Sequence, residues 1–300
     1  MLNSSRLPVA SIALLVAVLF GSTACGGSQC KRLYPDPTST VGFAWEATLG
    51  DRSIFLLGLH QAAPTSSIPN SAWKQLRVST TLLLEVDELG EVPPDQRWTK
   101  ESWMERFMLP PGQSLRKLLS SAQFQKLEWR TRGLRIRVPD YIASKSFAIL
   151  HPDEMKPWVA QLLLSKQQFR YSSPTQNEAL RAEATKAGLE LEFLDTPDQQ
   201  VQFLDESSDL DSLKRALDEE TFLPCRSKDS IAAYRSGDDD AFTLAADDPS
   251  EARVARWLPR IVDSAAPNRP AFVALGTSLL VGPRGLVAQL RARGFTVKRL

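Results

Sequence analysis

Ile54-Phe55-Leu56-Leu57-Gly58-Leu59-His60 is the stretch from which the fold can be read. Ile54–Leu57 is a short unbroken apolar run, the pattern of a strand covered on both faces. Downstream, Asn70–Arg77 carries apolar residues at helical spacing, with Asn70 or Ser71 as its N-cap. Thr81–Val86 follows as a second, almost wholly apolar strand. Two buried strands bracketing a helix predict a βαβ unit with a parallel pair.

The same grammar recurs later. Asn177–Ala187 is helical by pattern, stops at Gly188 and runs into Leu189–Leu194. Gly285–Arg293 stops at Gly294 and runs into Phe295–Leu300, and Phe272–Leu275 is a further apolar strand just before it. A glycine directly after a helix supplies the left-handed residue that ends it. Between these strands the chain is mostly helical by periodicity: Gln113–Arg130, Met155–Gln168, Asp209–Glu220, Ser227–Arg235 and Glu251–Ser264, the last with Pro259 as an expected kink. The fold class predicted is α/β: a mostly parallel central sheet with flanking helices and a largely helical middle insertion, in one domain over residues 42–300.

Charge narrows the partners. The chain has 36 basic and 35 acidic residues, so it lacks the positive footprint that nucleic acid binding needs. The locally basic run 130–137 reads as a solvated face.

The N-terminus predicts export. Residues 1–24 read as a signal peptide: Arg6, then the apolar run Val9–Phe20, then the small residues Ser22-Thr23-Ala24. The apolar run is short for a membrane span. Cys25 follows directly and leads into Gly26-Gly27-Ser28. That arrangement looks like a bacterial lipoprotein acylated at Cys25, with residues 25–41 as lipidated N-terminus and linker; ordinary cleavage after Ala24 fits the same residues. The expected location is the cell envelope, membrane-anchored and facing the periplasm or exterior, with a secreted soluble protein as the alternative. With Cys25 acylated, Cys30 and Cys225 remain, either as a disulfide in an oxidising compartment or as two separate thiols.

Sites in parallel α/β sheets form beyond the carboxyl ends of the strands. Those ends carry His60, then Glu85 and Asp87, then Asp195, then Gly276-Thr277-Ser278-Leu279. With the strands parallel and adjacent, the four tips share one edge and these side chains are expected to converge. Glu85 and Asp87, two apart, would share a face.

These landmarks resemble the TraB/GumN (Tiki-like) family. Residues 55–60 followed by Leu83-Leu84-Glu85-Val86-Asp87 are similar to its opening. Phe272–Gly282, Gly285-Leu286 and 290–297 are similar to its close. Lys156-Pro157-Trp158, Leu194-Asp195-Thr196 through Gln199-Gln200, and Tyr234-Arg235-Ser236-Gly237-Asp238 match internal landmarks. The resemblance implies a metal-assisted hydrolase, protease-like in the Tiki branch, with Gly58, Arg253, Gly276 and Gly282 retained. It also marks departures. Leu279 stands where the family has a metal-binding His, and the first Gly-x-x-His motif is one residue short. Asp195 stands where Glu is expected, and Val254 where Asn is usual.

The chain holds two histidines, His60 and His151, and His151 reads as an ordinary residue before Pro152. A zinc site usually takes three protein ligands rich in His, so His60 with Glu85, Asp87 and Asp195 would suit Mg, Ca or Mn better than Zn. Hydrogen-bonded or ion-paired structural roles are the other reading of each. Three functions follow. The first is a degenerate, non-catalytic envelope lipoprotein that needs no cofactor and binds a protein, peptide or polymer in the former metal cleft. The second is an active metal-dependent hydrolase using His60 and the carboxylates, with Glu85 as catalytic residue. The third is a purely structural envelope protein.

Overall fold

The computed structural model describes residues 42–86, 99–132, 151–168, 174–221, 224–243, 248 and 250–300. The signal peptide, linker, Cys25, Cys30, Asp87 and positions 133–137 of the basic run lie outside them, as does the side chain of Cys225. In chain order the elements are β1 (Ala44–Leu49), β2 (Arg52–Leu59), α1 (Asn70–Val78), β3 (Thr81–Leu84), α2 (Lys100–Phe107), α3 (Leu115–Leu118), α4 (Ser121–Thr131), α5 (Pro157–Gln168) and α6 (Gln176–Ala187). Then come β4 (Glu190–Phe193), α7 (Pro197–Ser207), α8 (Leu210–Asp218), α9 (Pro224–Ser236), α10 (Ser250–Ser264), β5 (Ala271–Gly276), α11 (Thr277–Leu280), α12 (Leu286–Ala292) and β6 (Thr296–Arg299).

The sheet order is β4-β3-β5-β2-β1-β6. β4, β3, β5 and β2 run parallel, while β1 pairs antiparallel with both β2 and β6. The fold is therefore α/β with a mixed, mostly parallel sheet. One expectation is corrected. β2 and β3 are parallel but do not pair; β5, nearly 190 residues further on, lies between them, with Leu56 opposite Val273 and Leu83 opposite the same residue. The purely apolar run of β5 is what lets it take this central place, covered on both faces.

Alternate residues of the same strands feed two cores. Ile54, Leu56, Leu83, Val273 and Leu275 pack with Val254, Trp257, Leu258 and Ile261 of α10 and with α11 and α12. Phe55, Leu57, Leu82, Leu84, Phe272 and Ala274 pack with Ala72 and Leu76 of α1 and Leu180 and Ala184 of α6. A third core joins α2 to α5 with α7 and α8, and it is the helical insertion that periodicity predicts.

Local chemistry sets the boundaries. α6 opens with a capping box: Thr175 Oγ1 accepts from Glu178 N at 3.2 Å, and the Glu178 carboxylate accepts from Thr175 N at 2.7 Å. It ends at Gly188, whose φ of 75° is the left-handed conformation expected there. Asn70 is not a cap; Pro69 holds that position and α1 starts without a side-chain cap. Gln113–Arg130 is two helices, because Ser120 caps a new start at α4. α10 runs across Pro259. β1, α2 and α7 are elements that the sequence reading did not include. Among the described residues, no helix is long and apolar enough to cross a membrane.

Candidate functional site

The carboxyl ends of β2, β5, β3 and β4 do lie along one edge, and the side chains there form two separate polar clusters. The first is built around Arg253, on the face of α10 that meets this edge. Its Nε donates to Asp195 Oδ2 at 2.7 Å, and its Nη1 lies 3.2 Å from Glu85 Oε2. Its Nη2 donates to Gln200 Oε1 on α7. The guanidinium lies 4.2 Å from the ring centre of Phe203 and 4.4 Å from that of Trp257, where ring faces attract a cation. The Arg253 side chain is 3% exposed and that of Asp195 is fully buried.

Asp195 accepts two further bonds on Oδ1, from Arg256 Nη2 at 2.6 Å and from Trp257 Nε1 at 2.7 Å. Its backbone N–H donates to the carbonyl of Glu85 at 2.7 Å, extending the β3–β4 ladder past both strand ends. Glu85 Oε1 accepts from Gly276 N at 2.6 Å, which ties the end of β3 to the end of β5. Glu85 lies one residue beyond β3, and the pairing expected with Asp87 falls outside the described residues. A Cβ on Gly276 would lie 3.3 Å from Glu85 Oε1 and 3.7 Å from Leu279 Cδ1, so the chain passes closely there.

The second cluster holds His60. Ala62 N donates to its Nδ1 at 3.2 Å, and its Nε2 lies 2.6 Å from Ser230 Oγ on α9. A nitrogen that accepts a backbone N–H carries no proton, so the neutral ring is the Nε2–H tautomer and Nε2 donates to the serine. The backbone N–H of His60 donates to Gln176 Oε1 at 2.9 Å. The Tyr234 and Phe242 rings pack against the imidazole at 5.5 and 5.9 Å between centres. Burial disfavours the imidazolium and pushes the His60 pKa down to about 4. Burial likewise pushes the Tyr234 phenol up to about 12, and its O–H donates to the carbonyl of Gly58 at 2.8 Å. Gly58 is required by close approach: a Cβ would lie 2.7 Å from Phe43 Cβ and 2.9 Å from Thr277 Oγ1. Thr277 Oγ1 donates in turn to Leu59 O at 2.9 Å, holding α11 against the end of β2.

Leu279 is buried in the core that α10, α11 and α12 share with the sheet. Beside it lies a cavity of about 20 Å³, bordered by Thr243, Ser250, Val254, Ser278 and Gly282 among others, with room for about one water. Gly282 has a φ of 79° and would place a Cβ 2.9 Å from Thr243 Cγ2, so its backbone course admits only glycine comfortably.

The described donors, His60, Glu85 and Asp195, do not by themselves fit a divalent metal. Both His60 ring nitrogens are hydrogen-bonded, Asp195 accepts from three side chains, Glu85 is shared between Arg253 and a backbone amide, and Leu279 offers no electron pair. Among the described residues, no three His, Cys, Asp or Glu side chains are grouped so as to hold a metal. Of the residues expected to converge, Glu85 and Asp195 do so through Arg253, His60 belongs to the neighbouring cluster, and Asp87 lies outside the described residues. Sequence reasoning missed Arg256, Trp257, Phe203 and Ser230. Arg253, Arg256 and Trp257 sit at helical spacing on one face, and that signal was available.

No curated protein and no solved structure gives a match. Residues 43–299 match the TraB/PrgY/gumN family, nearly the whole of the described body, including both polar clusters at its strand edge. The chain belongs to the TraB/PrgY/gumN family.

Proposed function

We propose that this is a non-catalytic TraB/PrgY/gumN-family protein of the bacterial envelope, tethered through an acylated Cys25. The observation that carries the non-catalytic reading is the commitment of Glu85 and Asp195 to Arg253, beside an imidazole whose two nitrogens are both engaged. Carboxylate oxygens of both acids face Arg253 and not a reacting group. A role in binding a peptide, polymer or partner protein fits the retained fold. With the strand-edge groups bonded to one another, we place that ligand on the surface rather than in the former cleft.

The test is the metal content of the purified mature chain. Protein prepared with manganese, zinc and cobalt present is expected to carry substoichiometric metal, with no change in His60→Ala. The Leu279→His variant alone is expected to gain no metal affinity, since the ring nitrogens and carboxylates remain engaged. Stoichiometric metal that disappears in His60→Ala would revive the hydrolase reading.

The tether rests on the Ala24–Cys25 junction. Two or more acyl chains anchor stably, so Cys25→Ser is expected to move the protein from the membrane fraction to the soluble one. A variant that stays with the membrane would sink the lipid anchor.

A further inference from the structure

An open hollow of about 400 Å³ lies on the outer face of α1 and reaches α6, away from the strand-edge clusters. Asn70, Trp73, Lys74 and Arg77 line it from α1, at the 0, 3, 4 and 7 spacing that puts residues on one helix face, and Glu183 lines it from α6. It is a shallow surface depression, open to solvent on its outer side.

Trp73 is half-buried and packs against the core that α1 and α6 share with the sheet, so its ring is held in place. Arg77 Nε donates to Glu183 Oε1 at 2.6 Å, which joins the two helices and fixes both rim groups. The same bond holds the Glu183 carboxyl below its ordinary pKa. Among the described residues, the Asn70 amide, the Trp73 indole N–H and the Lys74 ammonium make no protein hydrogen bond across this hollow, so they are available to a ligand. The available groups are chiefly donors, with two cations against one anion, which selects an oxygen-rich ligand with negative charge. Glu183 adds an acceptor suited to hydroxyls, and the indole adds an apolar surface suited to a ring face.

We propose that this hollow binds an acidic sugar unit, such as one residue of a uronic-acid polymer. The ring stacks on Trp73, the carboxylate meets Lys74 and the exposed Arg77 edge, and a hydroxyl donates to Glu183. The proposal deepens the surface-binding reading, but it stands apart from the state of the strand-edge clusters.

The experiment is calorimetric and NMR titration of the chain from residue 26 onward, which retains all three cores. The probes are tetragalacturonate, maltotetraose, inorganic phosphate and an acidic Asp/Glu peptide. Saturable one-to-one binding of tetragalacturonate is expected, about tenfold weaker in Trp73→Ala and in Lys74→Glu, a difference of about 1.4 kcal/mol. Maltotetraose is expected to bind at least about tenfold more weakly than the acidic tetramer. Circular dichroism checks that each variant remains folded; if Trp73→Ala does not, Trp73→Phe together with Lys74→Glu carries the test. No sugar binding, binding indifferent to the variants, or equal binding of phosphate or the acidic peptide overturns the proposal. Metal content is a separate measurement, so failure here leaves the non-catalytic reading to its own test.

Discussion

Arg253→Met is expected to destabilise the protein by about 3–5 kcal/mol, the usual consequence of removing one partner from a buried ion pair. The reason lies in what the guanidinium leaves behind. Asp195 has a fully buried side chain and would keep Arg256 and Trp257 as donors but lose the bond to Oδ2. Glu85 would lose its cation, and Gln200 and Phe203 of α7 would lose their contact with α10. One side chain thus links the ends of β3 and β4, the helix α7 of the insertion, and α10. Its planar fork and stacking between two rings belong to arginine, so Arg253→Lys is expected to recover little. Urea denaturation checks this: the midpoint should fall while the slope stays the same. A change under about 1 kcal/mol would mean that the network is ornamental to the fold.

The second large effect is an acid-induced loss of stability that begins above the carboxylate range. His60 has a folded pKa of about 4 against about 6.5 in the unfolded chain. Above pH 6.5 the ring is neutral in both states and its burial costs nothing through titration. As pH falls below 6.5 the unfolded chain takes up a proton that the folded chain refuses, so the unfolded state is favoured. The loss is complete once pH passes below about 4, and amounts to about 3 kcal/mol. Asp153, Glu183 and Asp209 have lowered pKa values too, and the stability they contribute is lost as pH falls through the ordinary carboxylate range, at the acid end of this window. His60→Gln keeps a polar group at the site without the titration. Between pH 6.5 and 4 its stability should be much flatter than the parent's, and equal slopes would show that His60 is not the source.

Much of the fold was legible because its signals are local. Gly188 and Gly294 mark helix ends through backbone conformation, and both have positive φ. The apolar runs 54–57 and 272–275 announce buried strands. Strand order was not legible, because nothing in 52–86 says that β5 will slide between β2 and β3. Parallel strands are joined by long connections, and which pair forms depends on the whole chain. β1 was missed for a related reason. Ala44–Leu49 alternates apolar with Glu46 and Thr48, and its neighbour β6 is laid down about 250 residues later.

At the site, the shared edge of His60, Glu85 and Asp195 was legible as the tips of parallel strands, but not what each would touch. Imidazole and carboxylate are equally suited to metal, hydrogen bond or ion pair. The choice was made by α10 and α9, which bring Arg253 and Ser230 to the edge from positions with no sequence proximity to it. Leu279, by contrast, was informative at once, since an aliphatic side chain has no alternative chemistry.

The most direct measurement is a double-mutant cycle between Arg253→Met and Asp195→Asn, run with and without added manganese or zinc. If the edge acids serve Arg253, the coupling should be about 2–3 kcal/mol and indifferent to the metal. Additive losses, or a coupling that changes when metal is added, would contradict it.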